Sequence, residues 1–294
     1  MPKSISFIVN PIAGTGNKTR LASKIKALFE PENIQYRIIY TEYAGHAAIL
    51  ARQEAENETE IAVACGGDGT MNEVAQGLAG TKTALGLLPL GSGNGLLRHL
   101  GISMNLEKAL TMLLNPEFSY IDACKVNESY FFCTSGIGFD AYVAHLFSKA
   151  GSRGLKTYAS IVLNSIRSYK PGYYTIQTGN TSMRERLFLF TAANANQFGN
   201  NFFIAPGAKT NDGLFDLTLL RPFPASYIPI LLFRLMRGTL INDKYTTLIK
   251  TDKFSIKADS PAFIHRDGEV SLEAGLLAYS IENMKLKVCV PNRQ

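Results

Sequence analysis

Strand-like and helix-like periods alternate through roughly the first 120 residues, and few folds accept that order. Short apolar runs at Ile5–Val9, Tyr36–Tyr40, Ile61–Cys65 and Ala84–Leu88 fit strands. Amphipathic stretches at Lys18–Phe29, His46–Glu56, Met71–Leu78 and Leu106–Leu114 fit helices. Such βα units imply a parallel sheet, and strands apolar on both faces imply helices covering both sides. The expectation is an α/β, Rossmann-like domain.

The pattern changes after Asp122. Residues 129–137, 173–179, 186–195, 214–220, 244–250, 253–258, 262–266, 269–273 and 278–282 have the lengths and alternation of short strands. Asn211-Asp212-Gly213, Arg266-Asp267-Gly268 and Glu273-Ala274-Gly275 punctuate them as turns. This is the signature of an antiparallel sandwich, with helical insertions expected at Phe139–Lys149, Leu155–Ser168 and Ala225–Arg237. The domains expected are therefore residues 1–122 and 123–285, with the tail 286–294 packing back on the first. The cleft between the two is the natural ligand site.

Composition narrows the function. In 294 residues, 46% apolar and 18% charged exclude a disordered chain. Cys65, Cys124, Cys133 and Cys289 form no CxxC pair, and buried thiols in a reducing cytoplasm are the simplest reading. Ile5–Val9 is too short for the apolar core of a secretory signal. The longest apolar stretch, Ile228–Met236, holds Pro229 and Arg234, whereas a spanning helix needs about 20 apolar residues. The net charge of +6 suits an anionic partner such as a nucleotide or an acidic membrane surface, and equally an ordinary soluble protein. Nucleic acid is not an expected partner.

Three Gly-rich segments each follow a strand and precede a helix: Asn10-Pro11-Ile12-Ala13-Gly14, Gly66-Gly67-Asp68-Gly69-Thr70 and Pro89-Leu90-Gly91-Ser92-Gly93-Asn94. In an open parallel sheet such loops gather at the carboxyl ends of the strands, where ligands bind. Glycine admits close backbone approach, and helix N-termini present N–H groups to an anion. A phosphate site follows, although each loop alone is also an ordinary βα turn. The familiar fingerprints are missing: Gly14-Thr15-Gly16-Asn17-Lys18-Thr19 lacks the Gly-Lys pair of a P-loop, and no GxGxxG follows the first strand.

The run Gly66-Gly67-Asp68-Gly69-Thr70-Met71-Asn72-Glu73-Val74 resembles the GGDGTxNEV signature of the diacylglycerol kinase family of lipid kinases. That family shares GGDGT with NAD kinases and phosphofructokinase-like enzymes. The resemblance extends along most of the chain. Asn10 to Gly14 is similar to the family's first nucleotide loop, and Thr41 stands where a nucleotide-contacting Thr is expected. Asp122 with Lys125-Val126-Asn127 resembles DxGKVN, with Cys124 for the Gly. Gly136 to Ala141, Ile204 to Leu214 and Asp267-Gly268-Glu269 match in order and spacing.

The resemblance implies ATP and Mg²⁺ as cofactors, with Asn10, Pro11, Ile12, Ala13, Gly14, Thr41, Gly66, Gly67, Asp68, Gly69, Thr70, Met71, Asn72, Glu73 and Ser92 about the nucleotide. It implies Glu269 as general base and Asp68 as a second catalytic group that orients metal or water. It implies a structural Mg²⁺ on Asp212 and the backbone carbonyls of Lys209 and Leu214, with Asp122 in an acidic network. It also implies a membrane lipid as acceptor, a cytoplasmic protein peripheral at the inner face of the membrane, and a homodimer.

Read without the family, Asp-Gly between apolar runs is a hairpin turn, Asp68 is a helix cap, and Asp212 makes an Asx turn. One departure bears on the acceptor. Gly91-Ser92-Gly93-Asn94-Gly95 has Gly95 where bacterial diacylglycerol kinases usually carry Asp, and Gly-Ser-Gly-Asn is also the sphingosine kinase form. Diacylglycerol is thus the first acceptor and a sphingoid base the second. A soluble acceptor, as in NAD kinase, and a non-catalytic nucleotide or lipid sensor are further alternatives. Membrane contact has two candidates, Pro224–Leu240 and Lys149–Lys170, each an apolar stripe with basic residues. Each would equally serve as a helix covering a sheet.

Overall fold

The computed structural model describes residues 2–12, 18–151 and 154–292, with side chains at all of these except 18, 19 and 155. Expectations placed on Ala13, Gly14, the near-miss loop 15–17 and Arg153 lie outside the described residues. The chain forms two compact units, one up to Ala123 with the segment from Asn283 onward, the other Cys124–Glu282.

The first unit is the α/β one. Its elements are β1 (Ser4–Val9), α1 (Lys18–Phe29), β2 (Gln35–Tyr40), α2 (His46–Glu56), β3 (Ile61–Cys65), α3 (Asp68–Leu78), β4 (Ala84–Leu87), α4 (Gly95–His99) and α5 (Leu106–Met112). β5 (Glu117–Val126) then leads across the boundary. The parallel order is β2-β1-β3-β4, with Ile5 between Tyr36 and Ile61. Leu21, Ile25 and Phe29 recur every four residues along α1 and are buried, Phe29 meeting Phe7 of β1 edge-on at 5.3 Å. Fully burying such a side chain is worth about 1.5–3 kcal/mol, which makes the stripe decisive for where α1 lies.

The second unit contains β6 (Ser129–Phe131), β7 (Thr134–Gly138), α6 (Phe139–Lys149), α7 (Leu155–Ser165), β8 (Gly172–Thr178), β9 (Thr181–Leu187), β10 (Leu189–Ala193) and β11 (Phe215–Leu220). A 3₁₀ turn at Ala225–Tyr227 precedes α8 (Ile228–Arg237), and another at Leu240–Asn242 precedes β12 (Thr246–Thr251). β13 (Lys253–Ala258), β14 (Ala262–Arg266), β15 (Glu269–Glu273) and β16 (Leu276–Val290) follow. One antiparallel sheet runs β12-β11-β10-β7-β14-β15. The start of β16 pairs with β13, which pairs with β8 and then β9. Phe190, Phe215, Leu217 and Ile264 of the first sheet meet Ile176, Phe254, Ile256 and Tyr279 of the second in one apolar core. That is a sandwich. A second cluster joins Phe139 and Val143 of α6, Leu231 of α8 and partly buried Tyr158 and Ile161 of α7.

β16 returns to the first unit, where Val288 aligns in parallel with Leu85 of β4. Local differences from the sequence expectations have physical causes. The expected strand 129–137 breaks at Phe132-Cys133, whose N–H groups bond the Asp267 carboxylate instead of a strand neighbour. The expected strand 186–195 breaks at Phe188, a corner whose N–H bonds Leu220 and whose carbonyl receives Phe139. β9 thus serves one sheet and β10 the other. All four cysteines are free and buried, and burial pushes the Cys289 thiol up to about 12.

Candidate functional site

In the first unit the Gly-rich loops are tied to the first turn of α3. Asn10 Nδ2 donates to Thr70 Oγ1 at 3.1 Å, while Asn10 Oδ1 accepts from Ile12 N at 3.0 Å. The third loop is closed by Asn94. Its Oδ1 accepts from Gly91 N at 3.1 Å, and its Nδ2 donates to Gly91 O at 2.8 Å. Asn94 N–H then donates to Asp68 Oδ1 at 3.2 Å. All three loops therefore converge on the segment from Gly67 to Thr70.

The glycines have distinct duties. A Cβ at Gly66 would lie 2.5 Å from Thr70 Cβ, and one at Gly91 would lie 3.2 Å from Gly67 Cα. Both positions need glycine because neighbouring chain comes too close. A Cβ at Gly67 would meet nothing within 4 Å among the described residues. Gly67 is the N-cap of α3 and extended, so its backbone faces open space at the start of a helix. An anion fits such a place.

α3 starts at Asp68, earlier than the sequence pattern placed it, and no side chain caps it. Asp68 therefore lies within the first turn and is not the cap. The remaining residues of the signature divide. Met71 and Asn72 are buried, and Asn72 Oδ1 accepts from Gln76 Nε2 one turn on. Glu73 accepts from Ala47 N at 3.1 Å and so braces the start of α2. Pro11, Ile12 and Ser92 are exposed, whereas Thr41 is buried with its N–H on Val9 O at 2.9 Å. Asp122 is buried and lies 3.3 Å from Lys285 Nζ, so an ammonium balances its charge. The long sequence separation of that pair left no local signal.

In the second unit Glu269 opens β15 and is exposed. It follows a two-residue hairpin loop, Asp267-Gly268, with Arg266 paired to Glu269. Both loop residues have positive φ, 48° and 90°, as a type I′ turn requires. The Asp267 side chain does far more than permit the turn. Its Oδ2 accepts from Phe132 N at 2.8 Å, and its Oδ1 accepts from Cys133 N and Thr134 N, both at 2.9 Å. Its own N–H donates to Thr134 O at 2.8 Å. The carboxylate is thus a clamp that fixes the turn carrying Glu269. Sequence reading assigned the Asp only to the turn. No local signal pointed to the clamp, because the break at Phe132-Cys133 that frees those amides appears only in the folded chain.

A second buried group backs the same hairpin. Asp140 Oδ2 accepts from Thr191 Oγ1 at 2.8 Å and lies 3.2 Å from His265 Nε2. Asp140 Oδ1 accepts from Ala141 N at 2.8 Å. A Cβ at Gly136 would come within 2.7 Å of His265 Nε2, so only glycine leaves room for this cluster. Tyr158 faces the same charge, and burial together with Asp140 pushes its hydroxyl up to about 12.

Asp212 lies in the turn before β11. Its Oδ1 accepts from Leu214 N at 3.2 Å, and its Oδ2 lies 3.4 Å from Lys250 Nζ. Lys250 is nearer to Asp216, at 2.9 Å. Burial holds the Asp216 carboxyl above the usual range against the opposing effect of Lys250. Among the described residues no three His, Cys, Asp or Glu side chains assemble a metal cage. The donors expected for Mg²⁺, one carboxylate and two backbone carbonyls, are nonetheless all oxygen, the kind a hard dication accepts while keeping waters.

Comparison with known proteins identifies the family and the fold. Residues 4–126 match the diacylglycerol kinase catalytic domain, and residues 134–290 match the YegS C-terminal NAD kinase beta sandwich-like domain. A diacylglycerol kinase of Bacillus subtilis is 28% identical, over 91% of this chain and 90% of its own. Sphingosine kinase 1 of Arabidopsis thaliana is 24% identical, over 97% and 72%. The crystal structure of a diacylglycerol kinase from Bacillus anthracis superimposes with a TM-score of 0.77 at 18% identity, covering 99% and 97% of the two chains. An NAD kinase from Archaeoglobus fulgidus in complex with ATP does so at 0.54 and 12%, covering 97% and 92%. With both of its units matched in chain order, the protein belongs to the diacylglycerol kinase family of lipid kinases.

Proposed function

We propose that the protein transfers the γ-phosphate of ATP to a lipid hydroxyl, with diacylglycerol as acceptor and phosphatidic acid as product. The observation that carries this is the convergence of three loops on Gly67–Thr70, which leaves the Gly67 backbone open at a helix start. That arrangement is suited to the phosphates of ATP. The fold's likeness to an ATP-bound NAD kinase is consistent with it.

The lipid hydroxyl is a weak nucleophile at neutral pH. Glu269, exposed on a clamped turn, accepts its proton. The hydroxyl oxygen bonds to the γ-phosphorus, the bond to the β,γ-bridging oxygen breaks, and ADP leaves. Transfer of this kind depends mainly on positioning and on neutralising phosphate charge. Mg²⁺ would be held at Asp212 with the carbonyls of Lys209 and Leu214, where it would brace the turn before β11 and leave Lys250 to Asp216.

A sphingoid base is the second reading, favoured by one observation. Gly95, the first residue of α4, puts no carboxylate where diacylglycerol kinases usually have one.

The test is transfer of label from ATP with Mg²⁺ to diacylglycerol, sphingosine, ceramide, monoacylglycerol or NAD in mixed micelles. Label in phosphatidic acid, reduced about 10²–10⁴-fold by Glu269→Ala, is expected. Label in sphingosine phosphate would move the assignment to the second reading. ATP binding with no labelled product would leave a sensor, and Glu269 would lose its role.

A further inference from the structure

We infer that the outward face of α8, with the 3₁₀ turn that follows it, is where the protein docks on an anionic phospholipid bilayer. The inference rests on the lipid kinase reading, because a bilayer-resident acceptor obliges the protein to meet a membrane. Within twelve residues four large apolar side chains stand in the open: Ile230, Phe233, Met236 and Ile241 are 47%, 60%, 59% and 70% exposed. Ile230, Phe233 and Met236 recur every three residues and share one side of α8. The inner side is already used. Leu231 is buried, Leu235 packs against the same cluster, and Arg234 reaches Asp243 at 3.4 Å. The outer side therefore has no packing duty among the described residues, and an exposed apolar patch of this kind marks an interaction surface.

Charge identifies the partner. From Leu217 to Asn242 the chain has no acidic residue, while it has Arg221, Arg234 and Arg237. Asp243 is buried, and Arg234 and the Tyr227 hydroxyl, at 2.6 Å, engage it from inside. Arg221 is taken by Glu185 at 3.2 Å. Among the described residues, what remains outside is Arg237, over the Phe233 ring at 5.6 Å, and Lys244, over the Tyr227 and Tyr245 rings. Apolar side chains rimmed by unneutralised cations fit a headgroup region that is negatively charged. A second copy fits less well, because a two-fold contact would bring Arg237 and Lys244 toward their own images. The other basic candidate, α7, is mostly occupied. Tyr158, Ile161 and Val162 pack inward, which leaves Leu163 as the large exposed apolar side chain among those described on α7.

The experiment uses the full chain without ATP, sedimented with vesicles of phosphatidylcholine alone or mixed with phosphatidylglycerol. Binding to the mixed vesicles is expected. It should fall on the order of ten-fold in Phe233→Ser/Met236→Ser and again in Arg237→Glu/Lys244→Glu, whereas Leu163→Ser should bind as the parent does. Because the altered side chains are exposed, the melting temperatures should match the parent. Phosphorylation of detergent-dispersed acceptor should be unchanged, while phosphorylation of acceptor embedded in vesicles falls with binding. Equal vesicle binding by parent and both double variants would overturn the inference. So would a dimer of the parent that becomes monomer in the variants with vesicle binding intact, which would make this face a self-association surface. A kinase inactive on every lipid in detergent would instead overturn the proposed reaction, since the sedimentation measurement does not use it.

Discussion

The glycine loops of the first unit and the Asp267-Gly268 hairpin of the second are built on opposite principles. The loops are joined by hydrogen bonds from Asn10 and Asn94, and among the described residues they leave the Gly67 backbone open. The hairpin is fixed by one buried carboxylate that accepts three backbone N–H groups, and it leaves the Glu269 side chain in solvent. A phosphate is recognised by many backbone donors at once, so the first region needs space more than stiffness. A general base acts through a single atom, so the second region needs its mount fixed.

The largest effect should come from removing the clamp. Asp267→Ala strands three buried N–H groups, each costing about 1–3 kcal/mol, so a loss of about 3–5 kcal/mol in urea unfolding is expected. Asp267→Asn keeps an acceptor oxygen and tolerates positive φ, so it should lose only about 1–2 kcal/mol. If the two variants unfold alike, the carboxylate is not the clamp and the contrast between the regions fails.

Next come two adjacent glycines. Gly66→Ala drives a methyl group against the Thr70 side chain and should destabilise by about 1–3 kcal/mol, visible as a lower melting temperature. Gly67→Ala has open space and extended backbone, so melting should not change, while KM for ATP should rise about ten-fold if the phosphates approach there. An unchanged KM would show that the open face is not the phosphate face.

The smallest effect concerns the base of the hairpin. Hydrogen bonds from Ser271 and Arg266 hold the Glu273 carboxyl below its ordinary value of 4.5. A depressed carboxyl contributes stability above its unfolded value and loses it as pH falls through the folded one. Because the pair is partly exposed, the contribution is about 0.5 kcal/mol or less. Melting compared at about pH 6 and about pH 3 should fall slightly more for the parent than for Glu273→Gln. An equal fall in both would remove Glu273 from the acid response.

Much of the fold was legible in local pattern. The α1 and α2 boundaries fall where the apolar period begins and ends, because Leu21, Ile25 and Phe29 can share a face only in a helix. The type I′ turn was legible from Asp-Gly, since few residue pairs accept two positive φ angles. Asp68 and Glu269 were singled out through the family's motif, and the structure places them at the start of α3 and of β15. Asn94 was harder to see, although an Asn among glycines, at φ 52°, is one of the few residues that tolerates that conformation.

The sequence by itself determined the βα alternation, the antiparallel second half, the glycine loops and the family, because each is written in residues close along the chain. Only the tertiary structure decided that Asp267 turns inward onto Phe132, Cys133 and Thr134, and that Asp122 answers Lys285. It likewise decided that Phe188 is a corner between sheets, and that α8 shows three apolar side chains to the outside with Ile241 of the following turn beside them in sequence. These depend on which distant groups meet when the sheets pair. A carboxylate's partner and a helix's free face are set by contacts across more than a hundred residues or by what the core leaves uncovered, and neither leaves a local period to read.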